Sequence, residues 1–325
     1  MAAVPIPFVP PLDDVRYGEV EQVSPWIRRV IANNPTKYSY RGTGTYIVGS
    51  GDVVVIDPGP AIDSHRDALA AALAGDRVRA ILVTHCHADH SPLAAWLRAE
   101  TGAPTVAFGP HGEVEPDPEP VEGEDDAAAA DDAGRDPDVS VKESIDVDFV
   151  PDITVADGDV AAQIPGITMR AVHTPGHTSN HMCFSLDAER ALFSGDHVMG
   201  WSTTVVSPPD GDMRAYIESL RKVIGRDDAT LWPTHGNPIR DVPPFLAAYL
   251  AHRLERERQV LDLVVGGVQT VPELVAVLYA DVREELHKAA GRSVLSHLIK
   301  LVGDGLVIDN SNHPRPTLAS CFISA

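Results

Sequence analysis

Residues 85–90 read His-Cys-His-Ala-Asp-His, three imidazoles and a carboxylate within six positions, directly after an apolar run at 80–83. In an extended backbone alternate side chains share a face, so His85 and His87 can bind one metal ion while Cys86 points away. Asp89 and His90 fall where strand gives way to helix and can address a second ion a few ångströms off. Neither set is complete by itself. Three further residues, His177 in a Gly-His-Thr run, Asp196 in Ser-Gly-Asp and His235 in Pro-Thr-His-Gly, each follow an apolar strand-like run beside a glycine that frees the backbone. The expected sets are His85, His87 and His177 on one ion, Asp89, His90 and His235 on the other, with Asp196 bridging them. Two divalent ions, two carboxylates and a bridging hydroxide leave a net charge of about +1, a centre that makes a nucleophile near neutral pH and attracts a developing oxyanion. This is hydrolytic chemistry. An all-nitrogen-and-oxygen ligand set suits two Zn2+ best, with Mn or Fe also possible.

The elements needed to carry these residues are legible around them. Residues 45–57 read as two short β-branched strands about a Gly-Ser-Gly turn, 64–75 as a helix and 80–84 as a buried strand. A helix follows at 91–102 with Ser91 as N-cap and Pro92 in its first turn. Further strands are expected at 105–108, 167–174, 181–186, 191–196 and 229–236, with a helix at 213–224. Strands alternating with helices define an α/β protein. From residue 243 a long helical pattern runs to 266, and two more helices and a short β-wing follow, the order of a winged-helix module. The expected division is a catalytic domain at 1–250 and a winged-helix-like C-terminal domain at 251–325.

Formal net charge is −21. Residues 113–148 hold 15 acids against Arg135 and Lys142, so −13 of that total sits in one stretch rich in proline and alanine, which reads as an acidic, mobile insertion. The remainder is only mildly acidic and the C-terminal segment is close to neutral. No basic field gathers phosphates, which weighs against a nucleic-acid partner. The start of the chain has no basic n-region and is broken by prolines, so no signal peptide or membrane span is expected and a cytoplasmic address is favoured. Cys86, Cys183 and Cys321 are odd in number and widely spaced, which suggests no disulfide framework. Of the other histidines, His65, His111, His252, His287, His297 and His313 are expected to be capping or surface groups. His173, His181 and His197 lie near the cluster but exceed the ligand count; His181 is expected to hydrogen-bond a ligand or the substrate.

The runs Thr-His-Cys-His-Ala-Asp-His, Gly-His-Thr, Ser-Gly-Asp and Pro-Thr-His-Gly, in this order, resemble the metallo-β-lactamase superfamily over residues 40–240. The resemblance implies an αββα sandwich with two metals at the edge of facing sheets. It also implies that Asp57, in the Ile-Asp-Pro-Gly run at 56–59, supports the metal-binding loop from behind. With His87 in place of a glutamate, the chain departs from the diiron oxygen-reductase branch. Gly-Thr-Gly-Thr-Tyr-Ile-Val-Gly at 42–49, the runs at 174–186 and 194–206, the helix around 216–220 and the winged-helix tail are more narrowly similar to the β-lactamase-like protein 2 group. Known members of that group are single-strand endoribonucleases in mitochondria.

The function expected from these readings is a dinuclear zinc hydrolase acting on a small-molecule ester, thioester or lactone, with Asp89 or a water moving the proton. Ser202, Thr203 and Thr204 follow Asp196 closely and are candidate substrate contacts. The alternative is a single-strand endoribonuclease, which the acidity disfavours because a nuclease must hold a polyanion. No membrane association is expected, and a homo-oligomer built through the C-terminal domain is left open.

Overall fold

The computed structural model describes residues 5–112, 145–280, 287–311 and 313–325. The expected acidic insertion lies outside the described residues except for 145–148. The chain opens with β1 (Val20–Gln22), β2 (Ile27–Ile31), β3 (Gly44–Ser50) and β4 (Asp52–Ile56), then α1 (Asp63–Ala72), β5 (Arg77–Leu82), α2 (Leu93–Thr101), β6 (Thr105–Ala107) and β7 (Ile153–Thr154). These seven strands form one sheet in chain order, antiparallel from β1 to β4 and parallel from β4 to β7. The parallel part follows from α1 and α2, since a parallel neighbour needs a long crossover. A second sheet holds β8 (Val160–Ile164), β9 (Ile167–His173), β10 (Met182–Leu186), β11 (Ala191–Gly195) and, after α3 (Met213–Ile224), β12 (Thr230–Pro233), in the order β12-β11-β10-β9-β8.

Strand side chains explain why the sheets stack. Tyr46, Val48, Val54 and Ile56 from the first sheet meet Met169, Phe184, Phe193 and Trp232 from the second in one buried core. The alternate residues Ile47, Val53 and Val55 turn outward against Leu69 of α1 and Leu93 and Leu97 of α2. Cys183 and Leu192 likewise pack under Tyr216 and Leu220 of α3 and Phe245 and Tyr249 of α4 (Val242–Val265). β10 and β11, covered on both faces, are buried throughout, whereas β5 and β9 alternate where one face is exposed, at Arg77, Arg79 and Arg170. The result is an αββα sandwich.

The distal part of α4 leaves the sandwich and joins α5 (Val271–Leu278), α6 (His287–Gly303) and the antiparallel pair β13 (Val307–Asp309) and β14 (Phe322–Ser324). Val260, Val264, Leu274, Val294, Leu298 and Phe322 form its separate core. This is the C-terminal winged-helix domain. α4 therefore runs unbroken across residue 250 and contributes to both cores. α5 starts with a capping box in which the Thr270 hydroxyl and the Glu273 carboxylate satisfy each other's backbone N–H groups.

Three local expectations are corrected. Ser91 does not cap α2: the N-cap is Pro92, and the Ser91 hydroxyl donates to Asp146 at 2.6 Å. His65 and His297, expected near the surface, are buried. Strands β1, β2, β7, β8 and β14 were not expected at all. All three cysteines are free, and no helix among the described residues is long and apolar enough to cross a membrane.

Candidate metal centre

The seven expected ligands come from four chain segments, three of which leave the carboxyl ends of parallel strands, where open α/β sheets place their sites. β5 leads into His85–His90, β11 ends at Gly195 beside Asp196, and β12 ends at Pro233, two residues before His235. His177 lies in the connection between β9 and β10. The sheets are stitched together at this end: the Gly44 N–H donates to the Thr234 carbonyl at 2.9 Å, and the Tyr46 hydroxyl to the Pro233 carbonyl at 2.6 Å. Gly195 is required beside Asp196. It has φ +51°, and a Cβ there would lie 2.7 Å from His181 Nε2.

All seven side chains converge. His87 Nδ1 lies 2.9 Å from His85 Nε2 and 3.2 Å from His177 Nε2. Two nitrogens sharing a tetrahedral zinc at its usual bond length are about 3.3 Å apart, so the spacing of this trio fits one ion. His235 Nε2 is 3.3 Å from Asp89 Oδ2, and His90 Nε2 is 3.5 Å from Asp89 Oδ1. Asp196 sits between the groups, its Oδ2 3.9 Å from His177 Nε2 and 3.5 Å from His235 Nε2, its Oδ1 3.8 Å from His90 Nε2. His85, His87 and His177 form one set with ligand atoms within 4.8 Å of one another, and Asp89, His90 and His235 another. The buried His90 Nε2 and Asp196 Oδ1 have no hydrogen-bond partner. Buried polar atoms without partners are costly, and a cation between them resolves the cost.

Hydrogen bonds at the far side of each ring aim the lone pairs inward. Asp57 organises this. Its carboxylate accepts the Thr84 N–H at 2.8 Å, the Thr84 hydroxyl at 2.8 Å, His90 Nδ1 at 2.9 Å and the Thr234 hydroxyl at 3.1 Å. Because Thr84 donates to Asp57, its oxygen accepts from His85 Nδ1 at 3.0 Å, which leaves His85 Nε2 free to ligate. His177 Nδ1 donates to the Val205 carbonyl at 2.6 Å and His235 Nδ1 to the Gly42 carbonyl at 3.2 Å. His87 differs, presenting Nδ1. Asp89 is held by the Thr43 hydroxyl at 3.0 Å, itself held by Asn34 at 2.8 Å.

Ionisation separates the two halves. Burial pushes the pKa of His85 well below the ordinary 6.5, brings His87 down to about 3 and lowers His177, so this trio offers neutral imidazoles. Burial acts on His90 in the same direction, but the carboxylates of Asp89, Asp196 and Asp57 outweigh it and raise that ring to about 9. His235 is likewise raised well above 6.5 by Asp196 and Asp89 against its burial. Burial favours neutral carboxyls at Asp89 and Asp196, yet His90 and His235 hold both below their usual range. Without a metal, protons on His90 and His235 balance the carboxylates; a divalent cation displaces them.

His181 sits behind the centre. Its Nε2 accepts the Asp196 N–H at 3.2 Å and its Nδ1 pairs with the Thr174 hydroxyl at 2.9 Å. Ser202 and Thr203 are half-buried. Thr204 is buried, and its hydroxyl donates to the Asp196 and His197 carbonyls at 2.8 and 3.0 Å. Thr43, Thr84 and Thr234 were missed. The threonine directly before the ligand in both Thr84-His85 and Thr234-His235 was the available signal. A cavity of about 590 Å³ between the 175–179 and 207–215 loops and α6 borders Gly176 and Ser179, on either side of His177. No metal-ligand candidate lines it, so it adjoins the centre and does not contain it.

An αββα sandwich with a His/Asp cluster at its sheet ends defines this chain as a candidate metalloprotein of the α/β class. The family profile described as "Metallo-beta-lactamase superfamily" matches residues 41–235, and that of the "Beta-lactamase associated winged helix domain" matches residues 270–313. This chain belongs to the metallo-β-lactamase superfamily and is a hydrolase of that group. An atrochrysone carboxyl ACP thioesterase from Aspergillus chevalieri is 33% identical over 91% of this chain and 85% of its own length. A lactamase-like protein from Aspergillus niger is 30% identical over 89% of this chain and 84% of its own. Among solved structures, a β-lactamase domain protein from Burkholderia ambifaria superposes with a TM-score of 0.73 at 21% identity, covering 97% of this chain and 96% of that one. A metallo-β-lactamase family protein from Thermus thermophilus gives 0.67 at 21% identity, covering 94% of this chain and all of that one. These two share the fold.

Proposed function

We propose that the protein hydrolyses an acyl thioester, using two divalent ions, zinc or alternatively manganese or iron, held by His85, His87 and His177 on one side and Asp89, His90 and His235 on the other, with Asp196 between. The observation that carries this reading is the convergence of three imidazole nitrogens from His85, His87 and His177 beside the buried, partnerless His90 Nε2 and Asp196 Oδ1. Bound there, divalent ions supply electrophilic pull on a carbonyl and lower the pKa of water. The chain's residues do the rest. Asp57 and His181 fix the ligands and Asp196 from behind. Asp89, whose side chain is 28% exposed, is placed to take the proton of the attacking water. A thiol has an ordinary pKa of about 8.5, so the leaving group departs without an acid, and the neutral imidazoles need not supply one. Ser202 and Thr203 are the proposed substrate contacts.

The thioester is favoured over the ester and lactone because relatives named as carrier-protein thioesterases match this chain through both domains. The test is elemental analysis joined to a panel of thioesters, esters, lactones and single-stranded RNA. About two ions per chain are expected, with thioester turnover lost to chelator, restored by zinc, and reduced at least ~10²-fold in Asp196→Ala. Metal-loaded protein that turns over no thioester faster than Asp196→Ala overturns the proposal; metal-dependent RNA cleavage in its place makes the protein a phosphodiesterase.

A further inference from the structure

α4 leads into the winged-helix domain, yet two of its residues reach back to the loop that follows Asp196. Tyr249 and Arg253 are four apart and so share one face of the helix. The Tyr249 hydroxyl accepts the Thr204 N–H at 2.7 Å and donates to the Ser202 carbonyl at 3.0 Å. Arg253 Nη2 donates to the Thr204 carbonyl. Thr204 is thus gripped through both of its backbone polar groups. It passes that grip on in two directions: its hydroxyl donates to the Asp196 and His197 carbonyls, and the next carbonyl along the chain, that of Val205, receives His177 Nδ1.

Arg253 is an unusual residue for this place. It is 3% exposed, its guanidinium lies 5.2 Å from the centre of the Tyr216 ring, and its Nε has no hydrogen-bond partner. No carboxylate among the described residues lies within salt-bridge distance of it. Burying a cation without a counter-charge is costly. A tie between α4 and the sandwich alone could be made by apolar contacts, as Phe245 and Leu246 make it two turns earlier. What the cation adds is a directed, charge-assisted bond to one peptide, the one between Thr204 and Val205.

We propose that Arg253 is a positioning residue for the metal centre, acting through Thr204 to set Asp196 and the ring of His177, so that the helix entering the winged-helix domain is part of the metal-binding apparatus. The inference rests on the ligand assignment above. It predicts a property of the ions' binding that simple anchoring of α4 does not.

The experiment compares full-length wild type, Arg253→Met, Arg253→Lys and Tyr249→Phe, with Leu274→Ala in the separate C-terminal core as a control for general destabilisation. Zinc affinity is read by chelator competition, and the visible spectrum of the cobalt-loaded protein reports ligand geometry. Arg253→Met is expected to weaken zinc binding by ~10–100-fold and to change the cobalt spectrum. Arg253→Lys, which still donates to the Thr204 carbonyl, is expected to recover most of the affinity, and Tyr249→Phe to shift it in the same direction as Arg253→Met by a smaller factor. Leu274→Ala is expected to lower the melting temperature and leave the spectrum unchanged. Wild-type affinity and spectrum in Arg253→Met, or in Tyr249→Phe should Arg253→Met not fold, overturn the inference. Wild type that binds no ion refutes instead the reading on which it rests.

Discussion

Asp57 ties the candidate ligand segments together through hydrogen bonds to Thr84, His90 and Thr234. It adopts φ +47° directly after β4, an uncommon conformation for a residue with a side chain, and this turn brings its carboxylate under Thr84, His90 and Thr234. Asp57→Asn removes the charge that orients His90 Nδ1 and replaces an acceptor with a donor facing donors; metal affinity is expected to fall ~10–100-fold, measurable by chelator competition. His65 supports the same turn, since its Nε2 donates at 3.0 Å to Thr45, whose hydroxyl holds the Asp57 carbonyl at 2.8 Å. Burial lowers its pKa from 6.5 to about 4. Between those values the unfolded chain binds the proton that the folded chain refuses, so this residue's contribution is intact above pH 6.5 and is lost as pH falls toward 4. The stability gap between wild type and His65→Gln should accordingly narrow by about 2 kcal/mol from pH 8 to pH 5, as read by urea denaturation; a constant gap would falsify the assignment. The ligand types were legible in the chain because chemistry dictates them. The threonines that aim them were not, because a threonine's partner is set by the fold.

Strands and helices show the same division. β4, β10, β11 and the 80–82 end of β5 announced themselves as apolar runs, since they lie covered on both faces, whereas β5 starts three residues earlier through the exposed Arg77 and Arg79. β2 did not, because its sequence Ile-Arg-Arg-Val-Ile places two arginines at its centre. Arg29 is nevertheless buried, its guanidinium bonded to Glu21 at 2.7 Å and to the Gly236 carbonyl at 2.9 Å, partners 8 and 207 residues away that no local pattern reveals. β8 hides for another reason, as Val-Ala-Ala-Gln-Ile has little of the β-branched content that marks a strand. The elements that carry ligands are intolerant where backbones nearly touch. Gly176, next to His177, has φ +135°, and a Cβ there would lie 2.4 Å from the Tyr216 backbone in α3. Gly176→Ala must push α3 off the β9–β10 connection and is expected to lower stability by about 3 kcal/mol or more and to weaken the ion held by His177. Thermal melts and zinc competition on the same variant check both effects. By contrast, Thr270→Ala removes the cap of α5 and should cost about 1 kcal/mol while leaving zinc affinity at the wild-type value.

At the scale of the whole molecule, α4 decides how the parts behave together. Phe245 and Tyr249 belong to the sandwich, Val260 and Val264 to the winged helix, and both sets sit on one continuous helix, so loss of either core strips the packing from half of α4. The full chain is therefore expected to unfold in a single transition, with helical circular dichroism, to which α5 and α6 contribute, coinciding along a denaturant series with the fluorescence of the four tryptophans, all of which precede α4; two separated transitions would show that the domains are independent. Leu298→Ala, in the C-terminal core, should lower that shared midpoint by an amount equal to about 3 kcal/mol. The sequence by itself carried the candidate ligand set, the alternation of strands and helices and the helical tail, because residue chemistry and hydrophobic periodicity are local properties of a chain, and it carried the sandwich through its resemblance to the metallo-β-lactamase superfamily. Only the tertiary structure decided which nitrogen of each ring faces inward and that Tyr249 and Arg253 grip Thr204 in the loop after Asp196, because each depends on hydrogen-bond partners supplied by chain segments tens to hundreds of residues apart.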